Sequence, residues 1–389
     1  MNRLNVLFVC EGLTKSSIIA QPWKHVFEIA RRMMKQGNDV QILTDRTQGL
    51  PSEEEIDGVM IRRIRKGRFL FDREQLLESL NSGDADIINW HGSDTWSAVQ
   101  FWRLRESIRK NIVWTLHSGI LSMEDLKNLN PLEFFQLYKF WNNIFNAMIP
   151  KRFVRRWVRV PFLRHVITLS KRTAQKLKDY GLSEENVTPI PSGVDVNLFK
   201  PLGNTAEDFT ILYFGPLSSF RGVDVLLSAF KLVRRSLPSV RLRLLAREPN
   251  SNSYWFRKAE NLANVDVITG LLNQKELVRH LSHASVVVLP FKFWPQVECP
   301  LTILEAMAME KTVVTTSMGA IPEIIRNWEN GLLVPPKNSK QLAEVVVKLL
   351  NDPSQCEKIG RKARTYIEHF HDWNKIVEET LGVLLDSLK

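Results

Sequence analysis

The sequence predicts an α/β protein built of two Rossmann-like, doubly wound domains facing a cleft. Three observations predict it. Short apolar runs alternate with amphipathic helical stretches along the chain. The alternation pauses at a segment punctuated by proline and glycine, Pro189–Pro201, and then restarts. A chain of 389 residues also exceeds what one hydrophobic core usually serves. The apolar runs show little polar alternation, as expected of parallel strands covered on both faces.

In the first half, Val6–Val9 reads as a buried strand. Trp23–Lys35 reads as a helix with Val26, Ile29, Ala30 and Met33 on one face, stopped by Gly37. Val40–Thr44, Asp86–Trp90, Ile112–Leu116 and His165–Leu169 read as further strands with helical stretches between them. After the linker, Thr210–Phe214 is a strand, Gly222–Ser236 a helix and Val240–Leu245 a strand. Val265–Thr269, Gln274–His283, Ser285–Leu289, Thr302–Met309 and Thr312–Thr315 continue the pattern, and a helical region begins at Ser339. The expected domains are 1–200, 201–371, and a last helix, 372–389, that returns to the first domain. Open α/β sheets bind ligands at the carboxyl ends of their strands, where helix N-termini direct positive ends at anions.

The 44% hydrophobic and 24% charged residues are those of a soluble globular protein, and no apolar run approaches the roughly 20 residues of a membrane span. Asn5–Val9 is too short for a signal peptide, and Cys10, Cys299 and Cys356 have neither metal-ligand spacing nor an even number, which suits a cytoplasmic location. A net charge of +11 implies an anionic partner. Six cations (Lys151, Arg152, Arg155, Arg156, Arg159 and Arg164) are interleaved with Phe153, Trp157 and Phe162 and with no acid. That pattern fits either peripheral contact with an anionic membrane surface or a solvated helix face. Arg62, Arg63, Arg65, Lys66 and Arg68 form a second basic cluster. No helix-turn-helix, zinc finger or aromatic RNA-binding motif occurs, which argues against nucleic acid as the partner.

Cys10-Glu-Gly-Leu-Thr14 follows the first strand in place of a dinucleotide-binding glycine pattern. Neither a Walker loop, a nucleophile elbow nor a zinc motif is present. The informative stretch is Val286–Ala308, in which a buried strand ends at Pro290, a loop carries Glu298, and a helix opens near Thr302. Glu305 is expected in its first turn. A carboxylate there can grip a ribose diol while backbone N–H groups face a diphosphate. Thr302-x-x-Glu305 equally fits a capping box.

From Val6 to about Leu385 the chain resembles the retaining glycosyltransferases of family 4, which have the GT-B fold. The likeness is carried by Phe27–Thr44, Val166–Ser170, Pro189–Asp195, Phe199–Pro201, Ile211–Gly215, Arg221–Asp224, Gly319–Ile325 and Asn330–Pro336, in the family's order. It implies sugar transfer from a nucleotide-diphosphate sugar to a saccharide or lipid acceptor with retention of configuration, with the donor as substrate and no cofactor or metal. Glu305 matches the glutamate that holds the donor ribose, and Thr302 opens the same helix. The family's second glutamate stands eight positions earlier, where this chain has Val297. Glu298, seven before, either takes that role through a shortened loop or the contact is lost. The family sets an arginine after the glycine that ends the first strand of the second domain, and a lysine five residues on. Here Pro216 follows Gly215, and Arg221 stands at the second position. Arg247, after the next strand, is a candidate replacement cation. His117 matches the histidine beside the transferred sugar, His91 has the same kind of strand-end position, and Gly270 looks like the turn that meets the nucleobase. Thr14–Gln21 stands where the family has a Gly-Gly loop. Together with Pro216 and Val297 it leaves an alternative, a partner subunit of this fold that binds nucleotide sugar without turnover.

Overall fold

The computed structural model describes residues 3–67, 70–92, 95–119, 156, 159–203, 209–246, 254–270, 273–292 and 298–389. The chain forms two units, Met1–Ser192 with Trp373–Lys389, and Gly193–Asp372.

The first unit contains β1 (Asn5–Cys10), α1 (Trp23–Lys35), β2 (Asp39–Asp45), β3 (Glu53–Ile56), β4 (Val59–Ile64), α2 (Arg73–Asn81), β5 (Ile87–Gly92), α3 (Thr95–Leu104), β6 (Ile112–Leu116), β7 (Leu163–Thr168), α4 (Lys171–Asp179) and β8 (Val187–Pro189). Its sheet runs β3-β4-β2-β1-β5-β6-β7-β8, parallel except for the β3–β4 hairpin. Successive side chains of β1 serve opposite faces, as the strand period requires. Val6, Phe8 and Cys10 join a core with Ile29 and Met33 of α1, whereas Leu7 and Val9 join Trp90, Phe101 and Trp114. The terminal helix of the chain (Trp373–Asp386) belongs to this unit, where Trp373, Ile376, Val377 and Leu384 complete the α1 side of the core.

The second unit contains β9 (Thr210–Phe214), α5 (Val223–Ser236), β10 (Arg241–Ala246), α6 (Tyr254–Glu260), β11 (Val265–Thr269), α7 (Gln274–Ser282), β12 (Val286–Leu289), α8 (Leu301–Ala308), β13 (Val313–Thr316), α9 (Ile321–Ile324), β14 (Leu332–Val334), α10 (Ser339–Leu350) and α11 (Pro353–Phe370). Its sheet is parallel in the order β11-β10-β9-β12-β13-β14. Every residue of β9, β12 and β13 is buried, so these strands read as continuous apolar runs.

The structure departs from the sequence reading in two places and adds detail in two others. Part of the second basic cluster lies on β4 and is neutralised locally. Glu53 faces Arg62 in the hairpin register, their side chains are 3.1 Å apart, and Glu54 pairs with the buried Arg63. Just beyond the strand, Arg65 meets Asp72 at 3.9 Å and Lys66 meets Glu11. Of the six cations from Lys151 to Arg164, the described ones are Arg156, Arg159 and Arg164, and Arg159 donates to the Gly181 carbonyl at 3.2 Å. Lys151, Arg152 and Arg155, like Arg68 of the other cluster, lie outside the described residues. The segment after Ser192 packs on the second unit instead of ending the first. The Val194 N–H donates to the His371 carbonyl at 2.8 Å. Finally, the expected capping box does not form, because α8 begins at Leu301 behind an N-cap at Pro300 with no side-chain cap. That start puts Glu305 in the second turn, out of reach of a cap.

Arg364 of α11 fixes that returning segment. Its Nη1 donates to the carbonyls of Phe199 (2.9 Å) and Ala308 (2.5 Å), and its Nη2 donates to Val196 (3.3 Å) and pairs with Glu368 (2.8 Å). Ala308 ends α8, so the guanidinium also meets the negative end of that helix dipole. Arg364→Met keeps the stem and leaves three carbonyls without this donor. We expect a loss of about 2–4 kcal/mol in the second unit, read as a lowered denaturant midpoint.

Candidate active site

In the second unit the strand order reverses beside β9, which lies between β10 and β12. Open α/β sheets have their crevice at such a reversal, outside the carboxyl ends of the strands. There β9 ends and Gly215 turns away at φ 127°, in backbone space that favours glycine. A Cβ on Gly215 would lie 3.9 Å from Arg221 Nη1, so the guanidinium sits directly beside this bare backbone. Residues 216–222 form a tight turn, with Arg221 N–H donating to Ser218 O (3.1 Å) and Gly222 N–H to Ser219 O (3.0 Å). Gly222 caps α5 at φ 72°, and a Cβ there would fall 1.7 Å from Pro290 O. No side chain caps α5, which leaves its first N–H groups as a positive end beside the strand reversal.

Two cations flank this turn. Arg221 lies over the Phe291 ring, 4.9 Å from the centroid. Burial lowers its pKa, with the Tyr213 phenol acting in the opposite direction, yet an arginine remains charged at any ordinary pH. Tyr213 donates its hydroxyl to Pro216 O at 2.6 Å, and burial raises its pKa. Lys292 comes from the loop after β12. Its Nζ lies 2.8 Å from Asp224 Oδ2 in the first turn of α5 and 2.9 Å from Ser219 Oγ, and its N–H donates to Phe220 O at 3.0 Å.

The same loop leads to Glu298 and α8. Glu298 is 5% exposed and Glu305 7%, an unusual depth for two carboxylates. Thr302 Oγ1, on the first turn of α8, is buried without a hydrogen-bond partner among the described residues. Gly270 follows β11 at φ 120°, with no described residue within 4 Å of where a Cβ would stand.

The first unit has the corresponding reversal at β1, between β2 and β5. His91 is the penultimate residue of β5, and His117 follows β6, its N–H donating to Gly92 O at 3.1 Å. His91 Nδ1 lies 3.0 Å from His117 Nε2, with the rings stacked at 5.2 Å and 26°. His25, in the first turn of α1, sets its ring edge against His117 (4.9 Å) and against Trp373 (5.5 Å). Its Nδ1 is 3.1 Å from Ser192 Oγ, which also accepts from Gln21 Nε2 at 2.7 Å. Burial drives the pKa of all three histidines down, His117 to about 3, and the neighbouring rings lower His25 and His91 further. Among the described residues, no group of three or more His, Cys, Asp or Glu has the geometry to hold a metal ion, and no helix is long and apolar enough to cross a membrane.

Comparison with known proteins now bears directly on these two edges. The profile described as Glycosyltransferase Family 4 matches residues 23–198, and the profile described as Glycosyl transferases group 1 matches residues 208–352. The chain belongs to the family 4, group 1 glycosyltransferases. It is 24% identical to an uncharacterised glycosyltransferase of Methanocaldococcus jannaschii, over 92% of each chain. It is also 24% identical to a D-inositol 3-phosphate glycosyltransferase of Thermobispora bispora, over 94% of this chain and 89% of that one. Among solved structures it resembles sucrose-phosphate synthase from Thermosynechococcus elongatus (TM-score 0.76, 20% identity, 99% of each chain). It likewise resembles Anabaena HepE in complex with UDP and glucose (TM-score 0.72, 15% identity, 99% of this chain and all of that one). These likenesses establish the GT-B fold, and membership of the family makes the protein an enzyme of glycosyl transfer.

On this glycosyltransferase, Gly215, Arg221, Gly270, Glu298, Thr302 and Glu305 all lie after strands of the second unit, towards the carboxyl edge of its sheet. His117 belongs to the first unit, beside His91. Arg247 and Val297 lie outside the described residues. Sequence reasoning missed two participants. Lys292 stands 73 residues from Ser219, and no spacing rule links those positions. His25 was legible only as part of the amphipathic α1, although a polar residue in an otherwise apolar face was a signal that went unused.

The depressed histidines dictate an acid limit on stability. Their folded pKa values lie below the unfolded value of about 6.5, so the unfolded chain binds more protons below that value, down to about 3 for His117. Stability is therefore complete above about pH 6.5 and falls as the pH drops through this window. By pH 5 each imidazole costs up to about 2 kcal/mol. A melting series from pH 7.5 to 4.5 should show the decline, and His25→Gln should flatten it relative to the parent.

Proposed function

We propose that this glycosyltransferase takes a nucleoside-diphosphate sugar as donor and transfers a hexosyl group with retention of configuration. The observation that carries the reading is the Arg221 guanidinium against the bare backbone of Gly215, beside the uncapped N-terminus of α5. Anionic oxygens are what such a site recognises, and a diphosphate offers several within its span. Lys292, held 2.8 Å from Asp224, would bring an ammonium donor to the same edge where Pro216 offers none. Glu305 would accept from the two ribose hydroxyls, with the Thr302 hydroxyl, unpartnered among the described residues, beside it on α8. Glu298 would face the sugar carried by the diphosphate, and His117, on the first unit, would meet a sugar hydroxyl. Relatives support the donor class, since HepE is described in complexes with UDP, UDP-glucose, and UDP with glucose.

In this reading the bond from the anomeric carbon to the phosphate oxygen breaks as the acceptor oxygen approaches from the same face. Negative charge then grows on the departing diphosphate, where Arg221, Lys292 and the N–H groups of α5 meet it without reorganising. The rest of the rate comes from holding donor and acceptor in register. The reading assigns no step to a metal ion.

Thermal shift against UDP-, GDP- and ADP-hexoses tests donor binding. One of them, at about a hundred times its Kd, should add about 2.7 kcal/mol of stability. Glu305→Ala should abolish that shift; an undiminished shift would reduce Glu305 to a structural carboxylate. Arg221→Ala should lower kcat for donor turnover by about a hundredfold or more, as for other removed electrostatic stabilisers. If the parent binds a donor and never turns it over, the catalytic reading fails and the partner-subunit alternative stands.

A further inference from the structure

The hydrogen bond between His91 and His117 constrains both rings more than packing would. A neutral imidazole carries one N–H and one bare nitrogen. With His91 Nδ1 only 3.0 Å from His117 Nε2, one of these atoms must carry the proton and the other must lack it. If His91 donates, it holds its proton on Nδ1, and His117, bare at Nε2, holds its own on Nδ1. If His117 donates, it is protonated on Nε2, and His91, bare at Nδ1, is protonated on Nε2. The two rings therefore always share one tautomer. A mixed pair would set two protons or two lone pairs against each other across 3.0 Å in a buried site.

The outward atoms make this coupling useful. His91 Nε2 and His117 Nδ1 are both buried and both lack a partner among the described residues. Few native polar atoms are left so, and a ligand or ordered water is the usual complement. His117 Nδ1 is a donor when both rings are Nδ1-protonated and an acceptor when both are Nε2-protonated. His25 presses its ring edge on His117 without occupying that nitrogen. Depressed pKa values keep the rings neutral at pH 7.5, the condition under which tautomers rather than charge decide the chemistry.

We infer that His91 is a positioning residue which sets the tautomer of His117, and so decides whether His117 Nδ1 gives a hydrogen bond to a sugar hydroxyl or takes one. The inference deepens the assignment of His117 to a sugar hydroxyl and rests on it for the ligand's identity. The tautomer coupling itself needs no ligand. Because a hydroxyl can give or take a hydrogen bond, either shared tautomer of the pair can meet it at His117 Nδ1 without creating a buried charge.

The test uses the full chain labelled with nitrogen-15 histidine at pH 7.5. Signals are assigned by single substitution, and protonated and bare ring nitrogens are read from long-range proton–nitrogen spectra. Both rings should show the same tautomer, and His91→Phe should change the pattern of His117. His91→Asn, whose amide reaches the place of Nδ1, should restore a single His117 tautomer. For donor turnover, His91→Phe should lower kcat on the order of ten- to a hundredfold, with KM for the nucleotide sugar within about threefold. His91→Asn should recover most of that loss. Mixed tautomers in the parent, an unchanged His117 pattern in His91→Phe, or equal kcat losses in the two variants would overturn the inference. If the parent turns over none of the UDP-, GDP- or ADP-hexoses, the donor reading falls, and the spectra alone decide the tautomer coupling.

Discussion

Parallel strand pairing with a reversal of strand order beside the first strand is the constraint on which the rest of this structure depends. It occurs twice, at β1 and at β9. A parallel sheet directs all its carboxyl ends to one edge, and the reversal sends the following helices to opposite faces, opening a crevice at that edge. Residues distant in sequence therefore meet there without any local signal. Arg221, Gly222 and Pro290 converge because β9 and β12 are neighbours. His91 and His117 converge because β5 and β6 are.

The two edges are built on different electrostatics. The second unit gathers positive charge: a guanidinium on an aromatic ring, an ammonium shared between Asp224 and Ser219, and an uncapped helix start. An anion entering that setting finds donors already oriented, and their field is stronger where water is thin. The first unit gathers neutral polarity instead. Its three histidines are packed among Phe8, Trp373 and one another, so a proton on any ring would be a charge in a poorly solvated place. Such neutrality lets hydrogen bonds reverse direction where fixed charges cannot. Backbone economy serves both edges. Gly222 is required where a side chain would strike the Pro290 carbonyl, and the bare Gly215 leaves room for Arg221.

Periodicity in the chain declared most of the elements. Val26, Ile29, Ala30 and Met33 are buried on α1, which runs from Trp23 to Lys35 as their spacing requires. The apolar runs at Thr210–Phe214 and Val286–Leu289 are strands with every residue buried. Weaker signals went unread. The β3–β4 hairpin was obscured because its charges, Glu53 to Glu55 and Arg62 to Arg63, look like solvated surface until they face one another across the ladder. Strands β8 and β14 have three residues each, too few to show a period. At Thr302 and Glu305 the local pattern fitted a cap, but the helix takes Pro300 as its N-cap, two residues earlier, which moves both side chains off the capping positions.

The sequence by itself determined the class of fold, the two sheets, the family, and which glutamates and cations were candidates for the donor edge, because burial periodicity and motif order are local properties of the chain. Only the tertiary structure decided that Lys292 joins the Ser219–Asp224 turn, that Arg62, Arg63, Arg65 and Lys66 are already paired, and that His25 and His91 gather around His117. The physical reason is that these juxtapositions are set by strand order and by the paths of loops between strands. Neither leaves a spacing in the sequence, since a hydrogen bond of 3 Å carries no memory of how many residues separate its ends.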